Sequence, residues 1–185
     1  MKSKYKTEVM NEQAIERILS RITSEILEKN QGSKDLVLVG LRSRGVYLAK
    51  RIARLIERME GVVIPVGILD ITLYRDDIRN PDFLPTVKKT EIPFSISKKK
   101  VILVDDVLYT GRTIRAALDG IMDLGRPQLI QLAVLIDRGH RELPIRADFV
   151  GREVSTLHQE TVKVLLKEED KAEGVYIIEL AEQVK

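Results

Sequence analysis

Apolar residues recur along this chain at two spacings that alternate with each other. Spacings of three to four residues predict three helices: between Asn11 and Gly32, over about residues 46–59, and from an opening at residues 110–113. Between the helices lie short apolar runs, which are typical of buried strands. These runs cover residues 36–39, 62–69, 101–104 and 129–136. Such alternation predicts βαβ units, so we expect an α/β fold with a mainly parallel sheet flanked by helices.

Two parts of the chain depart from this alternation. Prolines interrupt any regular pattern over about residues 72–92, and a loop of that length in a compact domain is usually a lid or a binding loop. Near the C-terminus, residues 161–166 and 175–180 predict two strands on either side of an acidic turn at 168–170. We expect these two strands to form an antiparallel extension of the domain.

The composition fits a single domain over residues 1–185, with 44% hydrophobic and 32% charged residues. Lys and Arg number 31 against 28 Asp and Glu, so any nucleic-acid role must rest on a local basic patch. The absence of Cys excludes a disulfide scaffold, a thiolate nucleophile and a Cys-ligated zinc site. Two His residues argue against a His-rich metal site.

The hydropathy of the chain argues against a membrane protein. No apolar run approaches the roughly 20 residues that span a bilayer. The N-terminal sequence MKSKYKTEVMNEQ has no apolar core typical of a secretory signal. We therefore expect a cytoplasmic protein without membrane contact.

The strongest chemical signal is the sequence VILVDDVLYTGRT at residues 101–113. A buried strand ends in Asp105 and Asp106 and places the following loop at the carboxyl edge of the sheet, where α/β folds bind ligands. Backbone N–H groups of residues 110–113 can hold a phosphate at the helix N-terminus, and Gly111 permits close approach. The two carboxylates suit vicinal hydroxyls or the waters of Mg²⁺. A ribose 5-phosphate satisfies both halves of this loop.

Plainer interpretations of the same residues remain open at this level. Two Asp residues after a strand also serve as capping and turn residues. A dinucleotide site is disfavoured, because no G-x-G-x-x-G follows a strand. The segment GLRSRG at residues 40–45 begins like an ATPase P-loop, but Val46 stands where the Lys is required.

Residues 101–113 resemble the phosphoribosyl pyrophosphate (PRPP) motif of type I phosphoribosyltransferases. The segments DITLYRDD, VDDVLYTGRT and DRGHRELPIRAD further resemble the PyrR family, pyrimidine-operon attenuation proteins that are also uracil phosphoribosyltransferases. The likeness runs from about Glu12 to Arg152. It weakens at residues 155–158, where the chain reads STLH and family members often read Pro-Thr-Ser and a charged residue.

The resemblance implies a type I phosphoribosyltransferase fold with a hood, a lid and a PRPP site. The hood spans about residues 137–185 with the N-terminal segment, and the lid about residues 72–92. The implied PRPP phosphate site consists of Val107, Leu108, Tyr109, Thr110, Gly111, Arg112 and Thr113. The implied pyrophosphate loop consists of Leu41, Arg42, Ser43, Arg44 and Gly45, with a cis peptide around Leu41 and Arg42.

The implied catalytic residues are Asp105, Asp106, Arg42 and Arg75, with Arg75 reaching the leaving pyrophosphate from the lid. The implied base site comprises Val107, Tyr109, Asp137 and Arg138. Mg²⁺ is expected to arrive with PRPP and to lie near Asp105 and Asp106, without a dedicated set of protein ligands. By composition alone, a mobile surface loop explains the lid segment equally well.

The resemblance also implies binding of an mRNA leader hairpin. The candidate residues for this role are Arg17, Ser20, Arg21, Ser24, Lys29, His140, Arg141, Arg146 and Arg152. We expect Arg17, Arg21, Arg141 and Arg146 to share one face away from the PRPP loop. Charge alone favours an ordinary solvated face, because Glu16, Glu25 and Glu28 lie on the same helix.

Together these features predict an enzyme that makes UMP and pyrophosphate from uracil and PRPP. They also predict an attenuator of transcription that binds mRNA in response to UMP or UTP, as a homodimer or homotetramer. The alternative is a phosphoribosyltransferase for another base, such as a purine, without RNA binding.

Overall fold

The computed structural model of the chain describes residues 5–76 and 89–179. The helices are α1 (Glu12–Asn30), α2 (Arg44–Glu60), α3 (Arg112–Leu124) and the short α4 (Lys167–Asp170). The strands are β1 (Tyr5–Met10), β2 (Leu36–Leu41), β3 (Val66–Leu69), β4 (Lys100–Leu108), β5 (Leu129–Asp137), β6 (Phe149–Glu153), β7 (Glu160–Leu165) and β8 (Gly174–Glu179). A 3₁₀ turn covers Thr72–Tyr74.

The main sheet has five parallel strands in the order β3-β2-β4-β5-β6. Successive residues of β2 alternate between two cores, because side chains of a strand point to opposite faces. Leu36 and Leu38 pack under α1 and α2, whereas Val37 and Val39 face the core that holds the apolar side of α3. Every residue of β2 is buried, which explains why its sequence is a continuous apolar run. The predicted α/β fold is confirmed.

A second sheet of three antiparallel strands lies beside the first, in the order β1-β8-β7. Strands β7 and β8 confirm the predicted antiparallel extension. Strand β1 was not predicted, because its sequence YKTEVM shows little apolar periodicity. It is held by pairing with β8 and by Met10, which is buried in the core.

Several element boundaries differ from the sequence predictions. Strand β4 does not end at the acidic pair but continues through it to Leu108, because β5 pairs with it as far as Asp137. Strand β3 begins only at Val66, after Pro65. Helix α1 confirms its predicted start, since the side-chain oxygen of Asn11 accepts the backbone N–H of Ala14 at 3.0 Å. Strand β6 was not predicted.

Parts of two predicted segments lie outside the described residues. These are residues 77–88 of the predicted lid and residues 180–185 at the C-terminus. Across the described ranges, no helix is long and apolar enough to cross a membrane.

Candidate active site

The carboxyl ends of β2, β4 and β5 meet at one edge of the main sheet and bring three loops together. Strand β2 leads into residues 41–45, the predicted pyrophosphate loop, which contains a cis peptide between Arg42 and Ser43, one bond beyond the expected position. Gly45 in this loop lies so close to β4 that a Cβ there would be 2.4 Å from the carbonyl oxygen of Val104. It would also lie 3.1 Å from the Cα of Asp105. The pyrophosphate loop therefore packs directly against the acidic pair.

Asp105 and Asp106 lie at this edge, and each carboxylate accepts the backbone N–H of the following residue. Asp105 is 6% exposed and accepts the N–H of Asp106 at 2.9 Å, while Asp106 accepts the N–H of Val107 at 3.0 Å. Burial raises the pKa of Asp105 well above its ordinary value of 3.8, and the neighbouring carboxylate raises it further. Burial also raises the pKa of Asp106, although Asp105 and Arg44 act in the opposite direction. Hydroxyl donors or positive charge on a ligand would reduce the free-energy cost of keeping these two carboxylates ionised.

The phosphate loop, residues 107–113, joins β4 to α3. Gly111 is the N-cap of α3 with φ 93° and provides no side-chain cap, although Thr110 Oγ1 accepts the first N–H of the helix, that of Arg112, at 3.4 Å. The N–H groups of the first turn and the positive end of the helix dipole suit an anion. A Cβ on Gly111 would lie 3.4 Å from Leu143 and Ile145, which close the loop from outside. The side chains of Val107 and Leu108 belong to the cores on either side of the sheet.

Arg112 directs its side chain away from the phosphate loop. Its Nη1 lies 2.7 Å from Asp76, at the start of the predicted lid, and its Nε lies 2.6 Å from Glu142. Arg115 donates to the carbonyl oxygen of Tyr74 at 3.1 Å. Helix α3 thus contacts the stem that carries Arg75, and two nitrogens of the Arg112 side chain are paired with carboxylates outside the phosphate loop.

The two arginines of the pyrophosphate loop both contact other parts of the protein. Arg42 donates to the carbonyl oxygen of Lys89 at 2.7 Å, and its Nη2 lies 3.7 Å from Glu91. Its buried Nε makes no hydrogen bond within the described ranges. Arg44 forms a two-point pair with Asp170 of α4. Both side chains thus link the loop to neighbouring segments.

The expected base site is built around the ring of Tyr109. The guanidinium of Arg138 stacks on it at 3.9 Å, and the ring of His140 approaches its edge with centroids 6.0 Å apart. Asp137 does not face this ring, since it accepts N–H groups of Gly139 and Arg141. All four predicted base-site residues therefore come from the ends of the adjacent strands β4 and β5, and Arg138 stacks on Tyr109.

The chain matches a known protein family over most of its length. The family model of the phosphoribosyl transferase domain matches residues 6–167. A curated relative from Pelotomaculum thermopropionicum, named bifunctional protein PyrR, is 61% identical over 96% of this chain and 98% of its own length. The chain belongs to the PyrR family. A PyrR protein of the same name from Limosilactobacillus fermentum is 58% identical over 91% of this chain and 95% of its own.

Solved structures place the PyrR chain in the type I phosphoribosyltransferase fold. A hypoxanthine phosphoribosyltransferase from Trypanosoma cruzi superposes with a TM-score of 0.73, covering 95% of this chain and 98% of its own. One from Staphylococcus aureus gives 0.69, with coverage of 98% and 96%. Their identities of 15% and 20% make this a likeness of fold.

In this PyrR chain, the segment at residues 155–158 belongs to the expected base site, which the sequence did not indicate. Thr156 Oγ1 accepts Nε of Arg138 at 3.0 Å, and the Thr156 carbonyl lies 2.8 Å from Nε2 of His140. The rings of His140 and His158 lie 4.7 Å apart. The only available signal was that His158 is one of just two histidines in the chain.

The expected RNA face, with Arg17, Arg21, Arg141 and Arg146 away from the PRPP loop, stays a prediction for most of its residues. Arg141 differs from that expectation, because it donates to the carbonyl of Tyr109 in the phosphate loop at 2.6 Å and pairs with Asp137. Arg141 therefore stabilises the backbone of the phosphate loop at Tyr109. On α1, Arg21 donates to the carbonyls of Val150 and Gly151 on β6, at 2.9 and 2.6 Å.

The remaining candidates in the PyrR chain occupy several sites. Lys29 pairs with Asp148 at 2.6 Å, and Arg152 donates to the carbonyl of Val9 at 2.6 Å. Ser24 donates to the carbonyl of Ser20 within α1 at 3.2 Å. Arg17 and Arg146 are exposed, and no hydrogen bond or ion pair ties them to the described residues. These two cations are therefore the most accessible of the set.

Proposed function

We propose that the chain transfers the phosphoribosyl group of PRPP to uracil, giving UMP and pyrophosphate. The observation that carries this proposal is one segment of a PyrR-family chain, in which the acidic pair near the end of β4, with Asp105 buried, adjoins the N-terminus of α3, whose N-cap is Gly111. These two features suit the two ends of a ribose 5-phosphate. The neighbouring loop, residues 41–45, contributes arginine side chains close to the position where pyrophosphate would leave.

Each part of the site has a defined role in this reaction. N–H groups and hydroxyls of residues 110–113 anchor the 5-phosphate, so that binding energy far from the reacting carbon positions it. Asp105 and Asp106 accept the ribose hydroxyls. As the bond to pyrophosphate breaks, positive charge develops on the ribose ring, and the same carboxylates stabilise it electrostatically.

The leaving group is the second focus of charge. Arg42 and Arg75 are proposed to stabilise the pyrophosphate, Arg42 from the loop and Arg75 from the stem of the lid. Mg²⁺ bound with PRPP would neutralise negative charge on the pyrophosphate. In the described ranges no cluster of three or more His, Asp or Glu side chains is arranged to hold a metal ion. We propose that Asp105 and Asp106 lie beside this PRPP-bound ion.

Uracil is proposed to bind beside Tyr109, with Val107, Asp137 and Arg138 at the same strand ends. Arg138 is only 7% exposed and stacks on Tyr109, so the ring of Tyr109 has a fixed orientation. The competing proposal, a purine substrate, draws on structural neighbours that share only the fold. We test the base directly by offering uracil, hypoxanthine, guanine and orotate with PRPP and Mg²⁺. Turnover of uracil alone supports the proposal, and preferential turnover of hypoxanthine or guanine overturns it.

We also propose a regulatory role, in which the chain binds an mRNA leader hairpin and UMP or UTP controls its affinity. The exposed outer face of α1, with Arg17 and Arg21, and the exposed Arg146 support it. The name of the relatives, bifunctional protein PyrR, agrees with two activities. We expect the protein to act in the cytoplasm as a homodimer or homotetramer. A gel-shift assay with a leader hairpin, with and without UMP, tests this role.

A further inference from the structure

The acidic helix α4 contacts the pyrophosphate loop through one side chain. Nε and Nη2 of Arg44 lie 3.0 and 2.7 Å from the two carboxylate oxygens of Asp170. Arg44 is the first residue of α2 and part of the pyrophosphate loop, whereas Asp170 belongs to the connection between β7 and β8. Both side chains are largely buried, with 29% and 17% exposed. A residue in the connection between two strands of the second sheet is thereby paired with a cation of the pyrophosphate loop.

Asp170 is itself held in place by the core. Its Oδ2 accepts the N–H of Leu166 at 3.0 Å, and its own N–H donates to the Leu166 carbonyl at 2.7 Å. Leu166 is completely buried. The pair with Arg44 is the main reason that the pKa of Asp170 is lowered, so the carboxylate is ionised at neutral pH. Arg44 is thus paired with a fixed anion on a rigid base.

The third nitrogen of Arg44, Nη1, is not used by the pair with Asp170. Within residues 5–76 and 89–179, Nη1 of Arg44 has no hydrogen-bond acceptor. The charge of Arg44 also reaches the acidic pair, since it lowers the pKa of Asp106 while burial raises it. A planar guanidinium held at Nε and Nη2 has a fixed direction for Nη1.

We propose that Asp170 is a positioning residue for phosphoribosyl transfer, which holds the Arg44 guanidinium so that Nη1 donates to the pyrophosphate group. This inference rests on the proposed function, because it needs PRPP as a substrate. An unrestrained arginine loses conformational entropy when it binds a ligand. Because the pair with Asp170 already orders the Arg44 side chain, less entropy is lost when the ligand binds. Asp170 therefore acts through Arg44 on the affinity for pyrophosphate and PRPP, and it leaves the base site unchanged.

The same helix provides a matched control. Glu168 accepts two hydrogen bonds from Arg51 at 2.6 and 2.9 Å, which resembles the pair between Asp170 and Arg44. Arg51 lies about two turns further along α2 and does not belong to the pyrophosphate loop. Glu168→Gln removes an ion pair between α4 and α2 without altering the loop, whereas Asp170→Asn removes the one that reaches it.

The test is a comparison of initial rates for the full chain and these two variants, with product inhibition by pyrophosphate. We expect Asp170→Asn to raise the KM for PRPP and the inhibition constant of pyrophosphate by roughly tenfold, as for one oriented charge-assisted hydrogen bond. The KM for uracil should stay the same. Glu168→Gln should leave all three constants near those of the parent. Equal constants for Asp170→Asn and the parent, or equal shifts in both variants, overturn the proposal.

A double-mutant cycle separates positioning from a purely structural effect. If Asp170 acts only through Arg44, adding Asp170→Asn to Arg44→Gln should cause no further rise in the pyrophosphate inhibition constant. A further rise overturns the proposal. Arg44→Lys, which cannot form the two-point pair, should shift the same constants with Asp170 intact. Should the parent use a purine instead of uracil, the proposed base fails, but the same cycle run with that base still decides the role of Asp170.

Discussion

The guanidinium of Arg138 lies 3.9 Å from the ring centroid of Tyr109, so that the end of β5 is stacked on the phosphate loop. Arg138 is buried and is held by Thr156 Oγ1 and by the carbonyl of Glu160. Because Tyr109 belongs to the loop and Thr156 to the connection between β6 and β7, one arginine joins the phosphate and base regions. A change at Thr156 should therefore affect the position of Arg138 beside Tyr109.

Thr156→Val should weaken binding of uracil while it leaves PRPP binding unchanged. The variant keeps the shape of the side chain but leaves the buried Nε of Arg138 without its acceptor, which costs about 1–3 kcal/mol. We expect a several-fold rise in the KM for uracil, measured at saturating PRPP. A melting-point loss of about 2–4 °C per kcal/mol should accompany it. Ser155→Ala, at the exposed neighbouring position, is the control, and a normal uracil KM in Thr156→Val would contradict this account of the base site.

The acidic pair should be essential for catalysis. Replacing both residues, as Asp105→Asn with Asp106→Asn, removes the charge that stabilises the developing cation on the ribose ring. Activity should fall by at least about two orders of magnitude, or ~2.7–4 kcal/mol, in an assay of UMP formation. Near-normal turnover in the double variant would show that the carboxylates have another role.

The same carboxylates should reduce the stability of the fold at neutral pH. The pKa of Asp105 is raised in the folded state, so the folded protein binds this proton more tightly than the unfolded chain does. Its contribution therefore becomes unfavourable as the pH rises above 3.8, the ordinary value, towards the raised one. Asp105→Asn should melt at a higher temperature than the parent at pH 7, and the gain should shrink as the pH approaches 3.8. A gain that is the same at both pH values would show that burial of charge is not its cause.

Gly111 should be required for binding of both PRPP and UMP. Its φ of 93° disfavours any side chain, and a Cβ would lie 3.4 Å from Leu143 and Ile145, so Gly111→Val should distort the phosphate loop. Calorimetry should then detect no UMP binding. Gly61→Ala is the control, since Gly61 also has a positive φ, of 69°, but ends α2 with open space around it. Unchanged UMP affinity in Gly111→Val would place the phosphate elsewhere.

The secondary-structure pattern could be predicted from the sequence wherever local apolar spacing determined it. Strand β2 is a continuous apolar run because both of its faces are buried, and α1 begins at a recognisable cap. Strand β6 could not be predicted, because its sequence FVGRE is polar at one end. Its position depends on pairing with β5 and on Gly151, where a Cβ would lie 2.2 Å from the carbonyl oxygen of Leu135.

The candidate site was predictable where its residues lie close together in the sequence. Asp105, Asp106 and Gly111 lie within one short motif, so a site for a diol and a phosphate could be proposed from it. The side-chain pairings could not, because Arg44 and Asp170 are 126 positions apart and Arg138 and Thr156 belong to different loops. Arg141 illustrates the same limit. The family resemblance implies an RNA contact for this residue, whereas its hydrogen bond to the carbonyl of Tyr109 in the phosphate loop could not be read from the sequence.

The exposed cations on α1 and beyond should contribute to RNA binding but not to catalysis. Arg17→Glu and Arg146→Glu should each weaken binding of a leader hairpin and reduce the salt slope by about one unit per lost phosphate contact. UMP formation should remain normal in both. Arg126→Glu, which lies beyond α3, is a matched charge reversal that should not affect hairpin binding. Parent-like affinity in both variants would mean that these residues form only a solvated surface.

The central claim is that one nucleotide site serves catalysis and also controls RNA binding. The most direct measurement is a linked titration of the parent protein, in which hairpin affinity is determined with and without UMP, and UMP affinity with and without the hairpin. We predict that UMP tightens the hairpin complex and that the hairpin tightens UMP by the same factor, as thermodynamic linkage requires. Hairpin affinity that is unchanged at saturating UMP, in a protein that still makes UMP, would contradict the account.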